Sequence, residues 1–251
     1  MFVLEVKRFD GSRHYQSHYE LTEACVRGKT LLAVLQYVKQ EMDPTLNFTS
    51  NCRTAICGSC AVRVNDSAVL ACDTDIEMLY RSYETDTLTL SPLANFPVIS
   101  DLVVNWDDAL EHLGRIHPAI VPKKESHQET GCLQLQEDLN RILPAWDCIL
   151  CGICASQCTR YSQNHNDYLE PFAFAHAWRT AFDSRNADPL FSCRAAVENG
   201  LWRCVHCSIC MHVCPNAINV AEDIVDLRKL ILENRKQKNR HFHQKSANQP
   251  S

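Results

Sequence analysis

Apolar and polar residues alternate over residues 2–9 (FVLEVKRF) and again over His14–Leu21 (HYQSHYEL), the two-residue period of strands that bury one face. The stretch TLLAVLQYVKQEMD changes to a helical period, and Pro44 brings it to an end. CAVRVNDSAVLAC reads as a hairpin turning at Asn65 and Asp66, two residues that tolerate left-handed backbone angles. LTLSPL (Leu88–Leu93) supplies a last strand, so a small mixed sheet crossed by one helix accounts for residues 1–97. From about Pro97 strand patterns vanish. Amphipathic segments separated by Pro118, Pro122, Pro144 and Pro171 predict a helical domain over residues 98–236. Its closing helix runs through EDIVDLRKLILENR, with Ile224, Leu227, Leu230 and Ile231 on one face. Residues 237–251 read as a disordered tail, in which His241 and His243 are a mobile surface pair more than a metal site. The fold class is α+β.

Length and charge change this picture little. A chain of 251 residues suits two domains of ordinary size. A net charge of -5 lacks the basic excess that phosphate contacts require, so no nucleic-acid partner is expected. No apolar run reaches the eighteen or so residues that would cross a bilayer; Leu31–Val38 is among the longest, and any membrane anchor is expected on another subunit. The N-terminus shows neither a signal nor a transit peptide.

The fifteen cysteines change the picture most. They cluster at gaps of two and three residues in a chain of normal hydrophobic content, which fits metal ligation in a reducing compartment better than a disulfide scaffold. Cys52, Cys57, Cys60 and Cys72 stand in the pattern C-x4-C-x2-C-x11-C. That is the spacing of plant-type [2Fe-2S] ferredoxins, and Gly58 gives the loop the backbone freedom to turn its amides inward. A structural zinc site is the alternative, although its knuckles are normally paired C-x2-C units. Cys148, Cys151, Cys154 and Cys158 then follow C-x2-C-x2-C-x3-C, and Cys204, Cys207, Cys210 and Cys214 repeat it 56 residues later, with Pro215 after the last. Three cysteines two apart fold round one corner of a cubane, while in two-cluster ferredoxins the fourth ligates the other cluster. On that pattern Cys214 joins Cys148, Cys151 and Cys154, and Cys158 joins Cys204, Cys207 and Cys210.

The CGSC core with a hairpin ending in LAC, then CILCGIC, then a tryptophan-led WRC and a closing CP, resembles the iron-sulfur subunit of the succinate dehydrogenase and fumarate reductase (complex II) family over residues 1–235. The resemblance implies a β-grasp [2Fe-2S] ferredoxin-like domain followed by an all-α domain like a two-cluster bacterial ferredoxin. It implies a subunit that moves electrons between an FAD-containing flavoprotein and a quinone-reactive membrane anchor, peripheral on the cytoplasmic side of the inner membrane. Carried over, Cys52, Cys57, Cys60 and Cys72 hold the centre nearest the flavin. Cys148, Cys151, Cys154 and Cys214 hold a middle [4Fe-4S], and Cys158, Cys204 and Cys210 hold the third.

Three departures matter. Most similar proteins lack a cysteine at the position of Cys207 and carry [3Fe-4S]; Cys207 supplies a fourth ligand, so a second [4Fe-4S] is expected in preference to [3Fe-4S]. Thr159 follows Cys158 where the family often has proline. Val205 stands where a quinone-site histidine occurs in some members, with His206 adjacent, so a familiar quinone site is not expected.

The remaining residues have plainer readings. Cys25, Cys132 and Cys193 fit no ligand spacing and read as buried inert thiols. His206 and His212 flank the third group as surface histidines, and Arg228 and Lys229 read as a solvated helix face. No catalytic triad, carboxylate pair or dinucleotide fingerprint is visible, so no substrate site is expected on this chain. Iron-sulfur subunits of molybdenum hydroxylases lack the repeated motif, and those of glycolate or glycerol-phosphate oxidising complexes lack the leading domain.

Overall fold

A computed structural model describes residues 1–123, 131–163 and 167–247, with side chains through residue 237. β1 (Phe2–Phe9) and β2 (His14–Leu21) pair antiparallel over their whole length, with Leu4 and Val6 on the buried face. After a short α1 (Glu23–Val26) comes α2 (Leu31–Tyr37), where the Thr30 hydroxyl accepts a hydrogen bond from the Ala33 amide at 3.2 Å. A π turn over Val38–Met42 extends this helix, and the chain leaves it at Asp43, one residue before Pro44. β3 (Ala61–Val64) and β4 (Ser67–Leu70) form the expected hairpin. Asn65 and Asp66 both take positive φ, 44° and 72°, as a primed two-residue turn demands. α3 (Ile76–Ser82) precedes β5 (Thr87–Ser91), which lies parallel to β1 and antiparallel to β3, so the sheet order is β2-β1-β5-β3-β4. Leu4, Val6, Val62, Val64, Leu88 and Leu90 of the sheet share one core with Leu31, Val34 and Leu35 of α2.

Strands do not stop at Pro97. β6 (Val98–Ser100) and β7 (Val103–Val104) form a second small sheet, too short for a two-residue alternation to register. Asp101, between them, binds the first domain. Its carboxylate accepts from the amides of Phe9 (3.1 Å) and Asn47 (2.8 Å) and pairs with the buried Arg8 at 2.8 Å. Arg8 also pairs with Asp43 at 2.6 Å. The first domain also carries α1 and α3 beside the one helix expected.

The rest is helical: α4 (Asp107–Ile116), α5 (Gln136–Trp146), α6 (Ile153–Ser156), α7 (Thr159–Gln163), α8 (Pro171–Ala181), α9 (Pro189–Glu198), α10 (Ile209–His212) and α11 (Val220–Ala247). α8 is the axle, packed against α4, α5, α9 and α11, with every residue buried except Arg179. Pro144 does not separate segments as expected. It sits in the last turns of α5, whose Ile142 and Ala145 are buried, so packing outweighs the backbone bond it forfeits. α11 buries Ile224, Leu227 and Ile231 and half-buries Leu230, the expected face. It continues to Ala247, through most of the stretch read as a tail, because no glycine or proline interrupts residues 220–247. Residues 248–251 and the side chains of His241 and His243 lie outside the described residues.

Candidate metal centres

The loop from Cys52 to Cys60 is built to hold anionic sulfur. Arg53, Ala55 and Gly58 take positive φ of 60°, 59° and 70°, which turns successive amides toward the thiols. Cys52 Sγ accepts from the amides of Ile56 and Cys57, each at 3.3 Å, and of Thr54 at 3.5 Å. Cys72 Sγ, on the strand side, accepts from the Ala55 amide at 3.2 Å, and Cys60 Sγ from the Cys72 amide at 3.4 Å. The Ser59 hydroxyl lies 3.1 Å from Cys57 Sγ. The Thr54 amide, then Cys57 and the neighbouring amides, bring the Cys52 thiol down to about 6, whereas burial pushes Cys60 up to about 12.

The two C-x2-C-x2-C-x3-C copies repeat in backbone as well as in sequence. Leu150 and Gly152 of the first have φ of 50° and 75°; His206 and Ser208, at the same places in the second, have 57° and 61°. Each is followed by one helical turn, α6 and α10, which pack together. Cys207 therefore occupies in the second copy the position Cys151 holds in the first.

The copies also exchange their last cysteines. Cys148, Cys151, Cys154 and Cys214 line one cavity, walled otherwise by Phe172, Ala175 and Ile218. Burial pushes Cys148 and Cys154 upward and Cys151 to about 11. On the other side Cys158, Cys204, Cys207 and Cys210 lie in one another's electrostatic range, and burial raises Cys158 and takes Cys210 to about 12. Buried Tyr168 directs its hydroxyl at Cys204, and Cys158 Sγ accepts from the Tyr161 amide at 3.4 Å. The thiols surround spaces without closing on a point: among the described residues no three His, Cys, Asp or Glu are grouped to hold a single ion. Inward amides in the first loop, the thiol-lined cavity of the second group and soft sulfur donors throughout all suit iron-sulfur clusters.

Other expectations fare unevenly. Cys193 is buried, as read, and donates to the Pro189 carbonyl at 3.3 Å, but Cys25 and Cys132 are only half-buried. His206 and His212 are exposed, and Lys229 is solvated beside Asp226. Arg228 is no solvated face. It donates to the carbonyls of Leu201 (2.7 Å) and Cys204 (2.8 Å) and stacks on Trp202, fastening α11 to the start of the second copy. Gly58 has a role beyond its own loop: a Cβ there would meet Cys151 Cα at 2.8 Å and the Ile149 carbonyl at 2.9 Å, so the first loop lies directly against the second group. A contact between residues so far apart in sequence leaves no local signal, whereas the 56-residue repeat already pairs Cys151 with Cys207.

A sheet domain with a thiolate-binding loop, joined to a helical domain with two exchanged four-cysteine sets, defines an iron-sulfur electron carrier. Comparison with known proteins agrees. Residues 3–111 match the family described as a 2Fe-2S iron-sulfur cluster binding domain, and residues 145–218 match the 4Fe-4S dicluster domain. The chain is 50% identical over 229 residues to the 8-methylmenaquinol:fumarate reductase iron-sulfur subunit of Wolinella succinogenes, covering 91% of this chain and 72% of that one. It is 32% identical over 221 residues to the fumarate reductase iron-sulfur subunit of Escherichia coli (88% and 86% covered). It is 35% identical over 211 residues to a mitochondrial succinate dehydrogenase [ubiquinone] iron-sulfur subunit of Oryza sativa (82% and 72%). A chain of the Mycobacterium smegmatis Sdh1 complex shares the fold, with a TM-score of 0.78 at 24% identity over 93% of this chain and 96% of that one. The chain belongs to the family of iron-sulfur subunits of fumarate reductase and succinate dehydrogenase, and its role is electron transfer. No described helix is long and apolar enough to cross a membrane.

Proposed function

We propose that this subunit carries three centres in series between an FAD-containing flavoprotein and a quinone-reactive membrane anchor, held by those partners at the cytoplasmic face of the inner membrane. Cys52, Cys57, Cys60 and Cys72 hold [2Fe-2S]; Cys148, Cys151, Cys154 and Cys214 hold [4Fe-4S]; Cys158, Cys204, Cys207 and Cys210 hold a second [4Fe-4S] in place of the commoner [3Fe-4S]. The observation that carries the last assignment is the repeated backbone, left-handed at Leu150 and Gly152 and again at His206 and Ser208, which gives Cys207 the station of Cys151. When bound, such clusters supply one-electron chemistry without proton transfer or bond making. The chain's own residues hold them and shape their surroundings. Amides of Thr54, Ala55, Ile56 and Cys57 meet thiolate charge in the first loop, and Phe172, Ala175 and Ile218 keep water from the middle cavity. Gly58 lets the first loop touch the wall of the second, a separation no larger side chain would allow.

Metal analysis and low-temperature electron paramagnetic resonance of anaerobically purified protein test the assignment. About ten irons per chain are expected, and no strong oxidised signal near g of about 2.01; about nine irons with that signal would mark a three-iron third centre and remove Cys207 from the ligand set. Cys207→Ser is expected to create the three-iron signal while sparing the other two centres.

A further inference from the structure

α8 presents Phe172 and Ala175 to the cavity lined by Cys148, Cys151, Cys154 and Cys214. One turn beyond Ala175 on the same face stands Arg179, the single residue of α8 that is not buried outright. Its guanidinium stacks on Trp146, 4.0 Å from the ring centre, two residues before Cys148. Its Nε is buried with no hydrogen-bond partner, and Arg179 enters no ion pair among the described residues. A half-buried arginine commonly has a carboxylate beside it. Arg179 and Cys148 lie within electrostatic range of each other.

Apart from the cysteines, two other ionisable residues line the cavity or stand on α8, and neither cancels this charge. His176 is 4% exposed with both ring nitrogens unpartnered; burial, then the field of Arg179, pushes it down to about 3, so it is neutral. Asp147 lines the cavity mouth but is exposed, where water and salt screen its charge. Among the described residues the middle site thus has one fixed cation that enters no ion pair.

We propose that Arg179 raises the midpoint potential of the middle centre, because a centre that gains one electron gains negative charge that the guanidinium stabilises. This rests on the ligand assignment proposed above. Arg179 acts through its field on a buried site and does not itself gain or lose a proton. The residue is expected to matter to this centre and not to the [2Fe-2S] loop.

The test is an anaerobic potentiometric titration of the holoprotein, read by electron paramagnetic resonance. Arg179→Gln is expected to lower the potential of the middle centre so that the ratio of reduced to oxidised centre at a fixed poise falls about tenfold, about 59 mV for one electron. The [2Fe-2S] potential should hold, and Arg179→Lys should recover most of the loss. Trp146→Leu, which removes the stack and keeps the charge, should shift the potential much less. A middle-centre potential unchanged in Arg179→Gln, or lowered equally by lysine, overturns the inference. If the glutamine variant loses iron, Arg179→Met, of similar length and no charge, makes the same comparison. Wild-type protein without a middle four-iron centre by iron and sulfide analysis would instead overturn the ligand assignment beneath it.

Discussion

The two halves of the molecule solve one problem, holding several thiolates close together, by different means. In the first, most of one ligand set comes from a nine-residue loop and the backbone itself neutralises charge, with amides on Cys52, Cys60 and Cys72. In the second, each group of thiols takes in a cysteine from the other copy, far away in sequence, and the sulfurs are raised by burial more than relieved by donors. One hydrophobic core runs through both halves, from Leu4, Val6, Leu88 and Leu90 of the sheet to Ile142, Phe174 and Leu227 of the helices, but only in the second half do core helices also wall a thiol-lined cavity. The first half should therefore tolerate loss of metal better than the second.

The largest effect expected from this contrast is at Cys154. Its half-buried thiol is pushed up by burial and then by the charges of Cys151, Cys148, Cys210 and Cys214. Cys154→Ala should remove the middle centre, disturb the third, and lower electron delivery through the subunit at least about a hundredfold, a loss of about 2.7 kcal/mol or more in barrier terms. Cys72→Ala should cost the first centre alone. Iron and sulfide content with thermal denaturation of each variant decides the matter, and equal destabilisation by the two substitutions would erase the contrast.

Gly58 joins the halves, so Gly58→Ala tests whether they are independent. The new Cβ faces backbone atoms of Cys151 and Ile149 that cannot swing aside, at a φ of 70° that already disfavours alanine. We expect a loss of about 2–3 kcal/mol in denaturant unfolding, together with weaker magnetic coupling between the first and middle centres. Undiminished coupling would mean that the close approach is not required.

The smallest effect concerns buried charge, which the halves also handle differently. The first pairs its ions: hydrogen bonds from Thr45, Tyr19 and Arg8 outweigh burial and hold Asp43 well below the carboxylate range. That contribution is present at neutral pH and fades on acidification through the lowered value. In the second half Asp223, with Oδ2 unpartnered, is pushed up to about 7 by burial, then by Asp226 and Glu222. Its folded form binds the proton more tightly than the unfolded chain, so stability falls as pH rises from about 4 through about 7. Asp223→Asn should abolish that fall and stabilise the protein at pH 8 by on the order of 2 kcal/mol, with little change near pH 4. Chemical denaturation of the loaded protein at the two pH values measures it; equal gains at both would exclude the titration.

Much of this was legible in advance because it is local. Alternation in residues 2–9 and 14–21, the Asn65-Asp66 turn and the apolar stripe of α11 are each decided by neighbours within a few residues, and the structure shows them as read. What was misread was decided elsewhere in the chain. The strands at Val98–Ser100 and Val103–Val104 bracket Asp101, bound to Arg8 some ninety residues earlier, and Pro144 stays in a helix because Ile142 and Ala145 are buried. Arg228 looked solvated because its acceptors, the carbonyls of Leu201 and Cys204, belong to another turn of the chain.

The sequence by itself determined the type of chemistry, since thiol spacing is a local property: a loop with C-x4-C-x2-C and two copies of C-x2-C-x2-C-x3-C restrict what can be bound before the chain folds. Tertiary structure decided which sulfurs meet, that Gly58 presses on Cys151, and that Arg179, in no ion pair among the described residues, stacks on Trp146 two residues before Cys148. The reason is physical: ligand type follows from side-chain chemistry along the chain, whereas distance, burial and field are set by residues that folding brings together from far apart.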